Sequence, residues 1–223
     1  MEGEVSMSKI QEVSNAVQSG KSKIVGVLVQ EALKEGYDPT EILNLCMIDA
    51  MSIVGEKFKN NEIFVPEMLI AARAMKKGVE VLKPHLAGDN TVSAGKLVIG
   101  TVAGDLHDIG KNLVAMMMES AGFEVIDLGV DVPAENFVNA VKNNSDVDIV
   151  CVSALLTTTM PAMKDTVKAL TDAGFRDKIK VMVGGAPINQ EFADEIGADA
   201  YTEDAASAAQ VAKAFVNKAA TNN

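Results

Sequence analysis

Lys96-Leu97-Val98-Ile99-Gly100-Thr101-Val102-Ala103-Gly104-Asp105-Leu106-His107-Asp108-Ile109-Gly110-Lys111-Asn112 decides the fold. Its first seven residues are an apolar run without polar alternation, the pattern of a strand covered on both faces. A polar loop bounded by two glycines follows. From Asn112 the apolar residues Leu113, Val114, Met117, Met118 and Ala121 then recur at helical spacing. Strand, loop and helix make one unit of a parallel α/β sheet. The unit repeats downstream: strands are expected over 123–128, 148–153, 179–183 and 198–202, and helices over 133–143, 160–173, 189–196 and 205–218. Five strands suit an open, doubly wound sheet of flavodoxin- or Rossmann-like type and are too few for an eight-stranded barrel.

Upstream the rhythm is helical throughout. Leu43, Met47, Ala50, Val54 and Phe58 share one helical stripe, and Met68, Ala72, Met75, Val79 and Leu82 another. Ile10, Val13 and Val17, then Ile24, Leu28 and Ala32, begin two earlier helices. Gly20 and Gly36 act as stops, Asp38-Pro39 as a start, and Pro66 opens the last helix. A four-helix bundle over residues 1–90 is expected, followed by the α/β domain over 95–223. Residues 87–95 lack periodicity, are rich in turn formers and read as the linker and hinge.

Composition narrows the function classes. The 223 residues are 48% hydrophobic and 23% charged, as in ordinary globular proteins. A net charge of -11 argues against nucleic acid and anionic membrane surfaces as partners. Residues 95–223 carry 18 acidic and 10 basic side chains, against 13 and 10 in residues 1–94, so the α/β half holds most of the negative field. No apolar run is long enough to span a bilayer, and the polar N-terminus is no secretory signal; a cytoplasmic protein is expected. Cys46 and Cys151 are far apart and read as core residues, not a disulfide. Two histidines and two cysteines are too few for a zinc site. His85 reads as a surface cation at a helix end, and the twelve methionines mainly as core filler, with a Met-rich seam as the sharper reading.

The chemistry concentrates in the quoted loop. Open parallel sheets bind ligands beyond the C-terminal ends of their strands. There His107 stands between Asp105 and Asp108, and a carboxylate on one imidazole nitrogen leaves the other as a free lone pair. That lone pair can take a proton, or supply one axial ligand to a metal already held in a macrocycle. A histidine merely satisfied by a turn carboxylate is the bland alternative. The other strand-end loops are Ser153-Ala154-Leu155-Leu156-Thr157-Thr158-Thr159, Gly184-Gly185-Ala186-Pro187 and Leu128-Gly129-Val130-Asp131. Neither a phosphate P-loop nor a dinucleotide G-x-G-x-x-G is present.

These residues resemble the cobalamin-binding domain family, whose pattern is D-x-H-x-x-G, S-x-L and G-G. Asp105, His107 and Gly110 are followed by 42 residues, then Ser153 and Leu155, then 28 more to Gly184 and Gly185. The helical half, with its Val54-Gly55-Glu56-Lys57-Phe58 and Phe64-Val65-Pro66-Glu67-Met68 segments, is similar to the cap module of methionine synthase. It is closer still to the corrinoid proteins of methyltransferase systems that use methylamines, methanol, betaines or aryl ethers.

The resemblance implies cobalamin, as methylcobalamin or a related corrinoid, with His107 replacing its own base as the lower ligand of cobalt. Asp105 would hold His107 and Ser153 would hydrogen-bond Asp105, a triad linking protonation to cobalt state. Gly104, Asp105, Leu106, His107, Asp108, Ile109 and Gly110 would meet the lower corrin face. Ser153, Leu155, Thr157, Gly184 and Gly185 would line the slot for the nucleotide tail, flanked by Tyr201, Asp204 and Ala205. Phe64 and Met68 would cover the methyl-bearing face. The implied protein is a methyl carrier of one-carbon metabolism, in methanogenesis or acetogenesis. It would not be an autonomous enzyme: its partners would be a substrate-specific methyltransferase, an acceptor methyltransferase and a reductive activase. A B12-binding sensor, the small subunit of a B12-dependent mutase and a flavodoxin-like domain without cofactor are the alternatives. The sequence does not separate methylamine, methanol, betaine and aryl ether as donors.

Overall fold

The computed structural model describes residues 8–86 and 93–221, with side chains to 217. Expected features at residues 1–7 and in the 87–92 part of the linker lie outside them. The chain divides into two compact units, one to residue 92 and one from residue 93.

The first unit is helical: α1 (Lys9–Gln18), α2 (Ser22–Lys34), α3 (Pro39–Glu41), a π-helical segment (Ile42–Ile48), α4 (Asp49–Lys59) and α5 (Val65–Leu82). Asp38 starts α3, its carboxylate accepting from the Thr40 and Glu41 amides. Such a cap satisfies amides that have no partner within the helix. Glu67 accepts from the Phe64 amide at the start of α5. The core is aliphatic and rich in methionine: Val13, Val17, Val25, Val29, Met47, Met51, Met68, Met75 and Leu82 are all buried. Gly78 lets α5 approach closely, since a Cβ there would stand 2.4 Å from the Met47 Cε atom. The third expected helix differs from a regular one across Ile42–Ile48. The Asp49 amide reaches back five residues to the Asn44 carbonyl, which widens the turn. Ile42, Cys46, Met47 and Ala50 are therefore buried, while Leu45 is left on the surface.

The second unit is a five-stranded parallel sheet of β1 (Lys96–Thr101), β2 (Glu124–Asp127), β3 (Ile149–Ser153), β4 (Lys180–Gly184) and β5 (Ala200–Tyr201). The strand order is β2-β1-β3-β4-β5. Helices α6 (Ile109–Ser120), α7 (Ala134–Asn143), α8 (Met160–Asp172), α9 (Gln190–Ile196) and α10 (Ala205–Thr221) connect the strands or follow the last one. α6 packs with α10, and α7 with α8. Val98, Val150, Val152, Val181 and Val183 join Phe137, Met163, Val167 and Leu170 in one core. This is the doubly wound fold expected. Each expected element is found, with ends shifted by at most a few residues.

The register sets up the site. Thr101 pairs with Ser153 and Ser153 with Gly184, so three strands end side by side. β1 lies between β2 and β3, so the chain leaves β1 and β3 in opposite directions. A crevice opens at such a reversal of strand order.

Cys46 and Cys151 are buried free thiols, and burial pushes them up to about 11 and about 12. His85 is exposed in a short 3-10 turn. Among the described residues, no helix is long and apolar enough to cross a membrane.

Candidate functional site

The site forms where the loop after β1 meets the loop after β3. Asp105 is 0% exposed. Its carboxylate accepts from the Leu155 amide at 2.7 Å, the Leu156 amide at 3.3 Å and the Thr159 hydroxyl at 2.8 Å. The other oxygen takes the His107 amide at 3.1 Å and His107 Nδ1 at 2.7 Å. Burial by itself would push this carboxyl up. The donors from Leu155, His107 and Thr159 outweigh it and hold the group well below the usual carboxylate range. An ionised carboxylate only accepts, so Nδ1 is the donor, and Nε2 is the nitrogen left to take a proton or a metal. The His107 side chain is 51% exposed. Thr101, itself buried, donates its hydroxyl to the His107 carbonyl at 2.9 Å and fixes the backbone behind the ring.

The hydroxyl on Asp105 corrects an expectation. It belongs to Thr159 and not to Ser153. Ser153 ends β3, where its carbonyl accepts from the Val102 amide. The 3-10 turn Thr157–Thr159 then folds the chain back so that Thr159, buried, meets Asp105. The Thr157-Thr158-Thr159 run was the available signal, but only the turn decides which hydroxyl points inward.

Around His107 the surface is apolar. Leu106, Ile109 (84% exposed), Leu155 and Leu156 all stand in solvent. Exposed apolar side chains gathered around one polar group mark a ligand surface. A Cβ on Gly110 would meet nothing within 4 Å, so the first turn of α6 is open to close approach. Asp108 precedes α6 and accepts from the Asn112 side chain at 3.0 Å. Gly104 turns with φ +80. Beneath, the buried Lys111 reaches Asp127 at 2.5 Å and Asn112 at 2.7 Å. A buried lysine is costly unless paired. This pair, not singled out from sequence, supports the loop from below.

Gly184 ends β4 and Gly185 follows it. A Cβ on Gly185 would fall 1.8 Å from the Ala154 carbonyl oxygen, and its φ is +131. Glycine there is required by the packing of the third and fourth loops on each other. Leu155 and Thr157 are exposed beside them and Tyr201 is half-buried. Asp204 and Ala205 have structural duties. Asp204 accepts from the Ala206 and Ser207 amides to cap α10, and Ala205 is buried. Met68 is a second correction: at 1% exposed it belongs to the bundle core, because the stripe of α5 that carries it faces inward. Phe64, at 64% exposed, is available to a ligand.

These residues suit a metal that arrives in a macrocycle. Among the described residues no group of three or more His, Cys, Asp or Glu side chains could hold a free ion. One oriented imidazole on an open apolar face can instead supply a single axial ligand to a metal already held in a flat ring.

The comparisons agree. A B12 binding domain model matches residues 95–210, and a second B12 binding domain model matches residues 9–83. Dimethylamine corrinoid protein 2 of Methanosarcina acetivorans is 44% identical over 205 residues, 92% of this chain and 94% of the relative. Trimethylamine corrinoid protein 1 of the same organism is 43% identical over 198 residues, covering 88% and 91%. Among solved structures, the methanol:cobalamin methyltransferase complex of Methanosarcina barkeri aligns with TM-score 0.84 and 32% identity, over 94% of this chain and 80% of that one. A cobalamin-binding protein of Desulfitobacterium hafniense aligns with TM-score 0.78 and 32% identity, covering 92% and 98%. With both units matched and the histidine loop at the strand ends of the second, this chain belongs to the family of B12-binding corrinoid proteins.

Proposed function

We propose that this chain is the methyl-carrying corrinoid protein of a methyltransferase system. The observation that carries the reading is the imidazole of His107, fixed through Nδ1 by a buried, fully satisfied carboxylate and presented on an apolar surface. Bound cobalamin would supply a cobalt centre able to carry a methyl group. His107 would hold the cobalt through Nε2. Asp105 keeps the tautomer that leaves Nε2 free, and Thr159 and the Leu155 amide keep Asp105 charged. Leu106, Ile109, Leu155 and Leu156 exclude water beside the ring. Gly110 would let it approach, and the loops at Leu155, Thr157 and Gly184 would flank its nucleotide tail.

The partners are methyltransferases, one that loads the carrier and one that unloads it, with a reductive activase to restore it. The relatives' names, of corrinoid proteins of methylamine systems, disfavour the sensor and mutase alternatives. The donor is selected by the loading partner, because no side chain of a carrier needs to touch it. Two unpaired buried thiols suit a reducing cytoplasm.

Absorbance after adding hydroxocobalamin tests the reading. The wild type is expected to give a histidine-ligated spectrum, and His107→Ala a water-ligated one with weaker binding. An unchanged spectrum and affinity would sink the ligand assignment.

A further inference from the structure

The loop after β2 lies against the His107 loop, and one residue of it grips that loop twice. Asp131 Oδ1 accepts from the Gly104 amide at 2.7 Å. The Asp131 amide donates to the Asp105 carbonyl at 2.9 Å. The two bonds bracket the Gly104–Asp105 dipeptide, whose second side chain orients the His107 ring. The grip needs unusual backbone. Asp131 has φ +53, one of two non-glycine residues with positive φ among those described, and Gly104 opposite has φ +80. Aspartate and asparagine tolerate this conformation better than most residues, but it is still uncommon and worth a physical cause. On either side, the Thr101 amide donates to the Gly129 carbonyl and the Val132 amide to the Thr101 carbonyl. The loop is thus zipped to the end of β1 on both flanks of Asp131. At its start, Asp127 takes the buried Lys111 from the first turn of α6.

We propose that Asp131 is a positioning residue: by holding both Gly104 and Asp105 it fixes the loop from which His107 is presented to cobalt. The inference rests on the reading of His107 as the axial ligand. Asp131 itself acts through the backbone, and its short bond from an amide to a carboxylate is of the stronger, charge-assisted kind.

Three forms of the full chain separate its roles. Asp131→Gly keeps the positive φ without cost and removes the acceptor. Asp131→Asn keeps both an acceptor oxygen and tolerance of positive φ. Each is titrated with hydroxocobalamin, read by affinity and by histidine-ligated absorbance, and its apo form is followed by unfolding midpoint and by amide exchange at Gly104. Asp131→Gly is expected to bind about 10-fold more weakly, the lower end for loss of an outer-shell partner. It should show a partly water-ligated spectrum, faster Gly104 exchange and a nearly unchanged midpoint. Asp131→Asn should restore binding to within about threefold. Wild-type affinity and spectrum in Asp131→Gly would overturn the proposal. So would a lowered midpoint with unchanged ligation, which makes Asp131 a fold residue only, or Asp131→Asn as weak as Asp131→Gly, which points to a direct charge contact. A wild type that takes up no hydroxocobalamin would instead overturn the functional reading, with Gly104 exchange still reporting the grip.

Discussion

The two edges of the sheet treat a carboxylate in opposite ways. At the N-terminal edge, Asp199 is held by Arg176 at 2.7 Å, Lys180 at 3.0 Å and the Val181 amide at 2.7 Å. Nearby on that edge, Lys96 bridges Glu124 and Asp146. At the C-terminal edge, Asp105 has no lysine or arginine partner and is satisfied by amides, a hydroxyl and one imidazole. Charge closed by charge ties elements together and offers nothing outward. Charge closed by neutral dipoles leaves its polarising effect for the histidine, whose far nitrogen faces solvent among exposed apolar residues. The first edge is closed on itself; the second leaves an oriented imidazole open.

Four substitutions break or sharpen that contrast. Asp105→Ala should have the largest effect. It leaves the Leu155 and His107 amides without their side-chain acceptor and the Thr159 hydroxyl with only the Leu156 carbonyl, costing about 3 kcal/mol of stability. It should also abolish histidine-ligated cobalamin binding. Urea unfolding of the apo protein and a hydroxocobalamin titration measure the two, and retained histidine ligation would deny Asp105 its orienting role.

Asp199→Asn comes next, at about 1–2 kcal/mol near neutral pH, with cobalamin binding unchanged. Burial tends to raise this carboxyl, but the Val181 amide, Lys180 and Arg176 lower it overall. A folded-state value below the unfolded one gives stability that is present above about pH 4 and lost as pH falls through the folded value. The gap between wild type and Asp199→Asn should therefore close in acid. A pH-independent gap would show that packing, not charge, is at work there.

The smallest effects separate Thr159 from Ser153. Thr159→Val should cost about 1 kcal/mol and weaken cobalamin about 10-fold, as expected for an outer-shell partner. Ser153→Ala should leave Asp105 fully bonded and the histidine-ligated spectrum intact. The reverse ranking, read in one titration series, would restore Ser153 to the triad.

The fold was largely legible because its signals are local. Non-alternating strands such as Leu97–Ile99 and the helical stripe at Met117 and Met118 need no distant partner to be recognised. The D-x-H-x-x-G loop was legible because a strand end places it at the ligand edge. The π-helical turn at Ile42–Ile48 was not, because an apolar run fits either turn width until packing chooses. Thr159 escaped because two neighbouring threonines and Ser153 carry the same hydroxyl. Met68 escaped because it lies only four residues from Phe64, yet Phe64 precedes the helix in extended backbone and stays exposed while Met68, inside the first turn, faces the bundle core.

The sequence by itself determined two units of different rhythm, a parallel sheet, and one histidine beside an aspartate at a strand end. Those follow from periodicity and from spacing along the chain. Only the tertiary structure decided which hydroxyl satisfies Asp105, that Gly185 is set by the Ala154 carbonyl, and that Asp131 grips the histidine loop. Each depends on loops that are distant in sequence and brought together by strand register, and hydrogen bonds a few ångströms long cannot be read before that register exists.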